Sequence, residues 1–122
     1  MYEYYLLKIE KKNNRKHFSI SFDDILELNG DGQLTNEYSI IICKSTKDIE
    51  IKMPNYDSYD YPFIEIKNMS DVYSVKITTN NAKFGSNGKF SLTLNNRQYM
   101  LAPNKHVKFF KYQKEQSWAF YN

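Results

Sequence analysis

The sequence predicts an all-β fold, as a compact antiparallel β-sandwich or a jelly-roll-like barrel. Aromatic residues, which favour strands, make up 16% of the chain, with 11 Tyr and 8 Phe. From residue 36 onward, turn signals recur about every 8 to 12 residues, the spacing that is typical of small sandwiches and barrels. Between them, apolar and polar side chains alternate, as in antiparallel sheets with one face in the core and one in water.

The length of 122 residues fits a single domain spanning residues 1–122. It allows a modest core but not a core with a large catalytic insertion. Residues 1–35 are predicted to supply N-terminal strands or a docking segment. Residues 36–122 are predicted to form the main β-domain.

The N-terminal segment combines strand-like and turn-like patterns. Residues 2–10 are apolar and aromatic, and KIEKKNNRKH follows as a basic stretch, either a solvated hairpin tip or a patch for a phosphate or an acidic partner. The stretch HFSISF alternates like a strand. Because Ser21-Phe22-Asp23-Asp24 fits a capping box, at most one short helical turn is expected near residues 21–28.

The later strands follow from period-two alternation. Ile49, Ile51 and Met53 share one face of a strand that Pro54 ends, because proline cannot donate to a ladder. The remaining strands are predicted over residues 38–43, 64–67, 74–78, 90–94, 106–112 and 117–121.

The polar break from Asn68 to Asp71 is predicted to be a corner. Asn68, Ser70 and Asp71 can hydrogen-bond to nearby backbone, which ends one strand and starts the next. Asn68-Met69-Ser70 is also a formal glycosylation sequon, but chain reversal explains the residues better.

Residue sets with catalytic or metal-binding spacing are almost lacking. His17 and His106 stand in no metal-ligand spacing with Cys43, which follows three isoleucines and is predicted to be a buried, inert thiol. No nucleophile elbow, HExxH or phosphate-binding glycine loop occurs. DDILELNGDG does not follow the ligand order of a calcium loop. The sequence therefore predicts no enzyme, no cofactor and no metal.

Charge and hydropathy restrict the partners. A net charge of +3, from 17 basic and 14 acidic residues, is mild for a nucleic-acid-binding protein. The run Ile40–Cys43 is far too short to span a membrane, and the N-terminus lacks the pattern of a signal peptide. We expect no nucleic acid, no membrane, and synthesis in a cytoplasm.

The loop NYDSYDYP offers the best candidate binding residues, Tyr56, Tyr59 and Tyr61. Exposed tyrosines stack on sugars or peptides at low entropic cost, and neighbouring carboxylates accept hydrogen bonds from hydroxyls. The alternative is that the rings fold over the sheet edge and close the core.

Four motifs stand in a specific order: IEIKMP at residues 49–54, IKNMS at 66–70, VKI at 75–77 and SWAFY at 117–121. In order and spacing, residues 36–122 resemble a small β-domain of bacteriophage virion proteins, found in tail fibres, tail tips, baseplate parts and head fibres. The resemblance does not extend to residues 1–35. The resemblance implies that Trp118 closes the core, with the indole against the sheet and its N–H toward a backbone acceptor.

The resemblance implies a structural component of a virion: a head fibre, a capsid-decoration protein, or a tail tip or tail fibre module. Its partners would be other virion proteins, such as capsid, portal, tail or fibre subunits. It would be a homo-oligomer, with a trimer favoured, made in the host bacterial cytoplasm and located in the virion. Two alternatives remain: a carbohydrate- or receptor-binding module for host attachment, or a small cytoplasmic inhibitor of a host system.

Overall fold

The architecture is all-β, as the sequence predicts. A computed structural model describes residues 24–79, 82–86, 89–90, 97–112 and 116–120. These residues contain eleven strands: β1 (Ile25–Leu28), β2 (Gly32–Gln33), β3 (Ile40–Cys43), β4 (Ile49–Lys52), β5 (Phe63–Asn68), β6 (Val75–Thr78), β7 (Lys83–Ser86), β8 (Lys89–Phe90), β9 (Gln98–Leu101), β10 (His106–Tyr112) and β11 (Ser117–Phe120).

The strands form two sheets that enclose the core in a sandwich-like arrangement. The larger sheet has seven strands in the order β1-β3-β5-β10-β11-β7-β8. The smaller sheet has four strands in the order β2-β4-β6-β9.

The first six strands alternate between the two sheets. β1, β3 and β5 lie parallel in the larger sheet, and β2, β4 and β6 lie parallel in the smaller one. Residues 24–79 therefore trace three coils, as in a two-sided parallel β-solenoid. The expectation of antiparallel pairing does not hold for these six strands. Each short connection crosses to the opposite sheet rather than folding back as a hairpin, so every second strand returns in the same direction.

The C-terminal strands supply the antiparallel pairings. β9 pairs with β6 in the smaller sheet, and β10 pairs with β5 in the larger sheet. β11 then pairs antiparallel with β10 and parallel with β7, which in turn pairs antiparallel with β8. Both sheets are consequently mixed, and antiparallel strands cover the last coil on each side.

The second half of the segment in which at most one short helical turn was expected is a strand. Ile25–Leu28 forms β1 and pairs with β3, while residues 21–23 lie outside the described residues. Leu26 and Leu28 pack against the core, and Glu27 between them is exposed. This period of two suits a strand, and burial of the two leucines favours a strand over a helix at residues 25–28.

Alternation places the predicted side chains inside. The inward positions of β4, β5 and β6 are fully or almost fully buried, which confirms the predicted faces: Ile49, Ile51, Ile64, Ile66, Val75 and Ile77. The side chain of Phe90 and all of residues 91–96 lie outside the described residues. Toward the C-terminal strands an aromatic cluster continues the core, with mostly edge-to-face contacts among Phe84, Tyr99, Phe109 and Phe120.

Cys43 is buried in this core, as predicted, and burial raises the pKa of its thiol to about 11. Only the thiolate reacts with alkylating reagents, so we expect labelling of the folded protein to be slow at mildly alkaline pH and fast in denaturant. Mass spectrometry of iodoacetamide-treated protein measures this. Equal labelling rates in both conditions would contradict the buried position.

Candidate functional site

The tyrosine loop packs inward rather than offering a binding surface. Tyr56 is 4% exposed and Tyr59 is 1% exposed, and both rings contact Trp118 edge-on at centroid distances of 5.2 and 5.5 Å. Exposed stacking rings are therefore excluded for these two residues, and the alternative expectation, that the rings close the core, is confirmed. Their apolar area stabilises the core instead. Tyr61 is half-buried, and its hydroxyl donates to Oδ1 of Asp24 at 2.5 Å.

Further polar contacts fix this loop to the sheets. The Tyr59 hydroxyl lies 2.9 Å from the carbonyl oxygen of Tyr38 and 2.8 Å from that of Phe63, the first residue of β5. Lys111 Nζ donates to the Tyr59 carbonyl oxygen at 2.7 Å and stands 4.6 Å from the Tyr56 ring centroid. Burial raises the pKa of Tyr59 and of Tyr61, and for Tyr61 the hydrogen bond to Asp24 adds to the effect. The loop thus has a structural role.

Trp118 closes the core, as predicted, with no solvent-exposed area. The expectation that its indole N–H donates to a backbone acceptor is wrong, since Nε1 is buried and has no acceptor among the described residues. The ring is held between Tyr56 and Tyr59 by edge contacts, and apolar packing decides its orientation.

The corner at residues 68–73 is confirmed, and the buried Asn68 side chain organises it. Asn68 Nδ2 lies 2.8 Å from the Tyr73 carbonyl oxygen, 3.1 Å from that of Leu101 and 3.2 Å from that of Ala102. Its Oδ1 accepts from the Ser70 N–H at 3.0 Å. Asn68 ends β5 and Leu101 ends β9, so one amide joins the two sheets. With Nδ2 turned inward, the sequon does not present its asparagine to solvent.

A second layer of hydrogen bonds fixes the rest of the corner. Ser70 Oγ accepts from the N–H groups of Val72 and Tyr73 at 3.2 and 2.9 Å. Asn104, at a φ of 60°, donates its backbone N–H to the Ser70 carbonyl oxygen and its Nδ2 to Asp71 Oδ1, both at 3.0 Å. Asparagine is among the few non-glycine residues that adopt this backbone region readily. The corner is thus bonded to the turn before β10.

Two large apolar side chains extend from this corner into solvent. Val72 is 72% exposed and Met69 is 54% exposed. Met100, 61% exposed, precedes Leu101 on β9. Single exposed apolar residues are ordinary on protein surfaces. Val72 and Met69 differ in that a hydrogen-bonded backbone already holds both in place, which lowers the entropic cost of contact with a partner. We name residues 69–72 the apolar corner.

Other surface features are weaker candidates for a binding site. A shallow depression beside β2 is lined by Asp31, Gln33, Glu50 and Lys52. Its polar groups already serve the fold, because Asp31 Oδ1 accepts from the Glu50 N–H and Gln33 Nε2 donates to backbone carbonyl oxygens. His106 is exposed at the start of β10, and His17 lies outside the described residues. In the part of the chain that the structure describes, no three His, Cys, Asp or Glu side chains are grouped to hold a metal ion.

The apolar corner was not singled out from the sequence. The signal that could have found it is an apolar residue inside a turn-forming segment, Met69 and Val72 within NMSDV. Their exposure depends on the side chain of Asn68 turning inward, which brings the corner backbone against the end of β9.

Comparison of the chain with protein-family models, with curated proteins and with solved structures found no match. Among the described residues, no helix has the length and apolar character needed to cross a membrane.

Proposed function

We propose that this chain is a structural component of a bacteriophage virion that acts by protein–protein assembly, with the apolar corner as its contact surface. The class follows from the resemblance of residues 36–122 to small virion β-domains. The proposal includes a homo-oligomer, with a trimer favoured, and contains no catalytic step.

The observation that carries the proposal is the geometry of the apolar corner. Val72 and Met69 are exposed on a backbone that Asn68, Ser70 and Asn104 hold by hydrogen bonds. Burying an exposed aliphatic side chain in a partner is worth roughly 1.5–3 kcal/mol. Two such side chains on a backbone that needs no ordering suit a contact repeated many times in a particle, where many modest interfaces add up.

The alternative of a carbohydrate- or receptor-binding module depended on exposed tyrosine rings in the loop at residues 55–62. Tyr56 and Tyr59 are buried, and Tyr61 is half-buried with its hydroxyl bonded to Asp24. No described feature favours the alternative of a small cytoplasmic inhibitor.

The test is incorporation into particles. A phage lacking the gene is complemented with wild type, with the double variant Met69→Lys/Val72→Lys, or with Ser58→Lys. Ser58 is exposed on the connection between β4 and β5, at the opposite end of the strands from the corner, and its change adds one charge. Quantitative mass spectrometry of purified particles measures the copy number.

We expect wild type and Ser58→Lys to be incorporated, and the double variant to fall about tenfold or more, a loss of about 1.4 kcal/mol per contact. Circular dichroism checks that the double variant melts like wild type, since exposed substitutions change stability little. Wild-type protein found in infected cells but not in purified particles would overturn the virion assignment. Normal incorporation of the double variant would remove the apolar corner as the contact. Light scattering on a sizing column measures the oligomeric state.

A further inference from the structure

We propose that Asn29-Gly30 is a site of spontaneous covalent modification, at which the folded protein converts Asn29 into a mixture of aspartate and isoaspartate. This inference is independent of the proposed function. It rests on the position of the pair in the bend between β1 and β2, and on the contacts of both residues there.

The chemistry needs only these two residues and water. The backbone nitrogen of Gly30 attacks Cγ of Asn29, forming a C–N bond and closing a five-membered succinimide ring. The bond between Cγ and Nδ2 breaks, and the amide leaves as ammonia, which carries away the proton of the attacking nitrogen. Water then opens the ring at either carbonyl and yields aspartate or isoaspartate. No oxidant, metal or cofactor takes part.

The atom that is attacked, Cγ of Asn29, is accessible in the structure. Asn29 is exposed, and its side chain makes no hydrogen bond or ion pair within the described part of the chain. Its amide is therefore free to rotate toward the following peptide nitrogen. Asparagine is one of the thermolabile residues of proteins for this reason.

The attacking atom, the backbone nitrogen of Gly30, is also free of a hydrogen-bond partner among the described residues. Gly30 is the second residue after β1, and its N–H has no acceptor among the described residues. A Cβ placed on Gly30 would meet nothing within 4 Å beyond the adjacent residues, so no more distant group crowds its Cα. Glycine also has the backbone freedom that ring closure demands.

The other described asparagines are protected. Asn68 is buried, and Asn104 donates to Asp71. Asn36 Nδ2 donates to the Ser58 carbonyl oxygen, and Asn55 Oδ1 accepts from backbone N–H groups. Each is followed by a residue with a side chain. A second Asn-Gly pair, at residues 87–88, lies outside the described residues.

The modification has a structural consequence at the first coil. It places a new carboxylate two residues from Asp31, whose Oδ1 accepts from the Glu50 N–H at 2.8 Å and joins the first coil to the second. Isoaspartate also lengthens the main chain by one methylene between β1 and β2. An ageing population of the protein therefore acquires negative charge at this end of the smaller sheet.

The experiment follows the intact folded protein during incubation at mildly alkaline pH. Peptide mapping with separation of the aspartate and isoaspartate forms measures loss of each asparagine amide, and tryptic cleavage places Asn29 and Asn87 in different peptides. We expect Asn29 to lose its amide while Asn36, Asn55 and Asn104 keep theirs. Isoaspartate identifies the succinimide route, because direct hydrolysis yields aspartate alone.

Gly30→Ala is the matched control. The space around Gly30 admits a methyl group, so the variant is expected to melt like wild type and to retain the Asn29 amide. Retention of the Asn29 amide in wild type would overturn the proposal. So would loss at the same rate in Gly30→Ala, or conversion of Asn36 and Asn104 as fast as Asn29.

Discussion

Replacing Trp118 with alanine is expected to lower the free energy of unfolding by about 3–5 kcal/mol. The side chain has no exposed area and packs edge-on against both Tyr56 and Tyr59. Its removal leaves a cavity that the surrounding rings cannot fill without moving the loop that they close. Small domains have only about 5–15 kcal/mol of stability in total, so a loss of this size is a large fraction of the whole.

The measurement is urea unfolding followed by far-ultraviolet circular dichroism, since Trp118 is the one tryptophan and its fluorescence is lost in the variant. Phe110→Ala is the control, because this ring is on the partner strand β10 but is exposed, and it is expected to cost far less. Trp118→Phe is informative in a second way. It loses ring volume but also removes a buried N–H that has no acceptor among the described residues, so we expect a cost well below that of alanine. A Trp118→Ala cost no larger than that of Phe110→Ala would contradict the central position of this residue.

Replacing Asn68 with alanine is expected to lower the free energy of unfolding by about 2–4 kcal/mol, since a buried polar group left without its partner costs about 1–3 kcal/mol. The Asn68 amide is within hydrogen-bond distance of three carbonyl oxygens and accepts one N–H. Alanine would remove the buried contacts to the Leu101 carbonyl oxygen and the Ser70 N–H, and water cannot reach these groups as easily as at the surface. The junction between β5 and β9 would weaken first.

Two further variants separate the roles of the Asn68 side chain. Asn68→Asp keeps an acceptor for the Ser70 N–H but loses the donors and buries a carboxyl group beside carbonyl oxygens, so it is expected to be as harmful as alanine. Asn104→Gly removes an exposed hydrogen bond to Asp71 while suiting the positive φ, so its effect is expected to be small. Thermal melts and urea titrations measure all three variants. An Asn68→Ala protein as stable as Asn104→Gly would show that the amide does not hold the sheets together.

Asn68→Ala also links stability to the proposed contact. If the apolar corner acts because its backbone is fixed, the variant should be incorporated into particles less well than its remaining folded fraction alone accounts for. Hydrogen exchange at the N–H groups of Val72 and Tyr73 measures whether their bonds to Ser70 Oγ persist. Unchanged protection there, together with full incorporation, would contradict this coupling.

The inward faces of the strands could be predicted from sequence because alternation records burial directly. Ile49 and Ile51, and likewise Val75 and Ile77, stand two residues apart, and each is buried with a charged residue between them. The corner could be predicted for a related reason, since Asn68 and Ser70 bond to backbone within a few residues of themselves. The predicted burial of Cys43 rests on the isoleucines that precede it.

The exposure of the tyrosines could not be predicted in the same way. Tyr56, Tyr59 and Tyr61 stand in a polar loop, and nothing in that loop distinguishes a ring that covers the core from a ring that faces water. The deciding contacts come from Trp118 and Lys111, more than fifty residues later in the chain. The missing acceptor for the Trp118 N–H has the same origin, because distant rings set the position of the indole.

Three properties of this protein can be predicted from its amino-acid sequence alone: that it is built from short strands, which side chains of those strands face inward, and that the chain turns at Asn68. These properties depend on neighbours within a few residues, and period-two alternation and turn chemistry record them. Which strands pair, and in which direction, depends on the packing of the whole chain, because alternation specifies a face and not a partner. Crossing of each connection to the opposite sheet made β1, β3 and β5 parallel. The same long-range packing buried Tyr56 and Tyr59 and left Val72 in solvent, since burial depends on what the rest of the chain brings to each side chain.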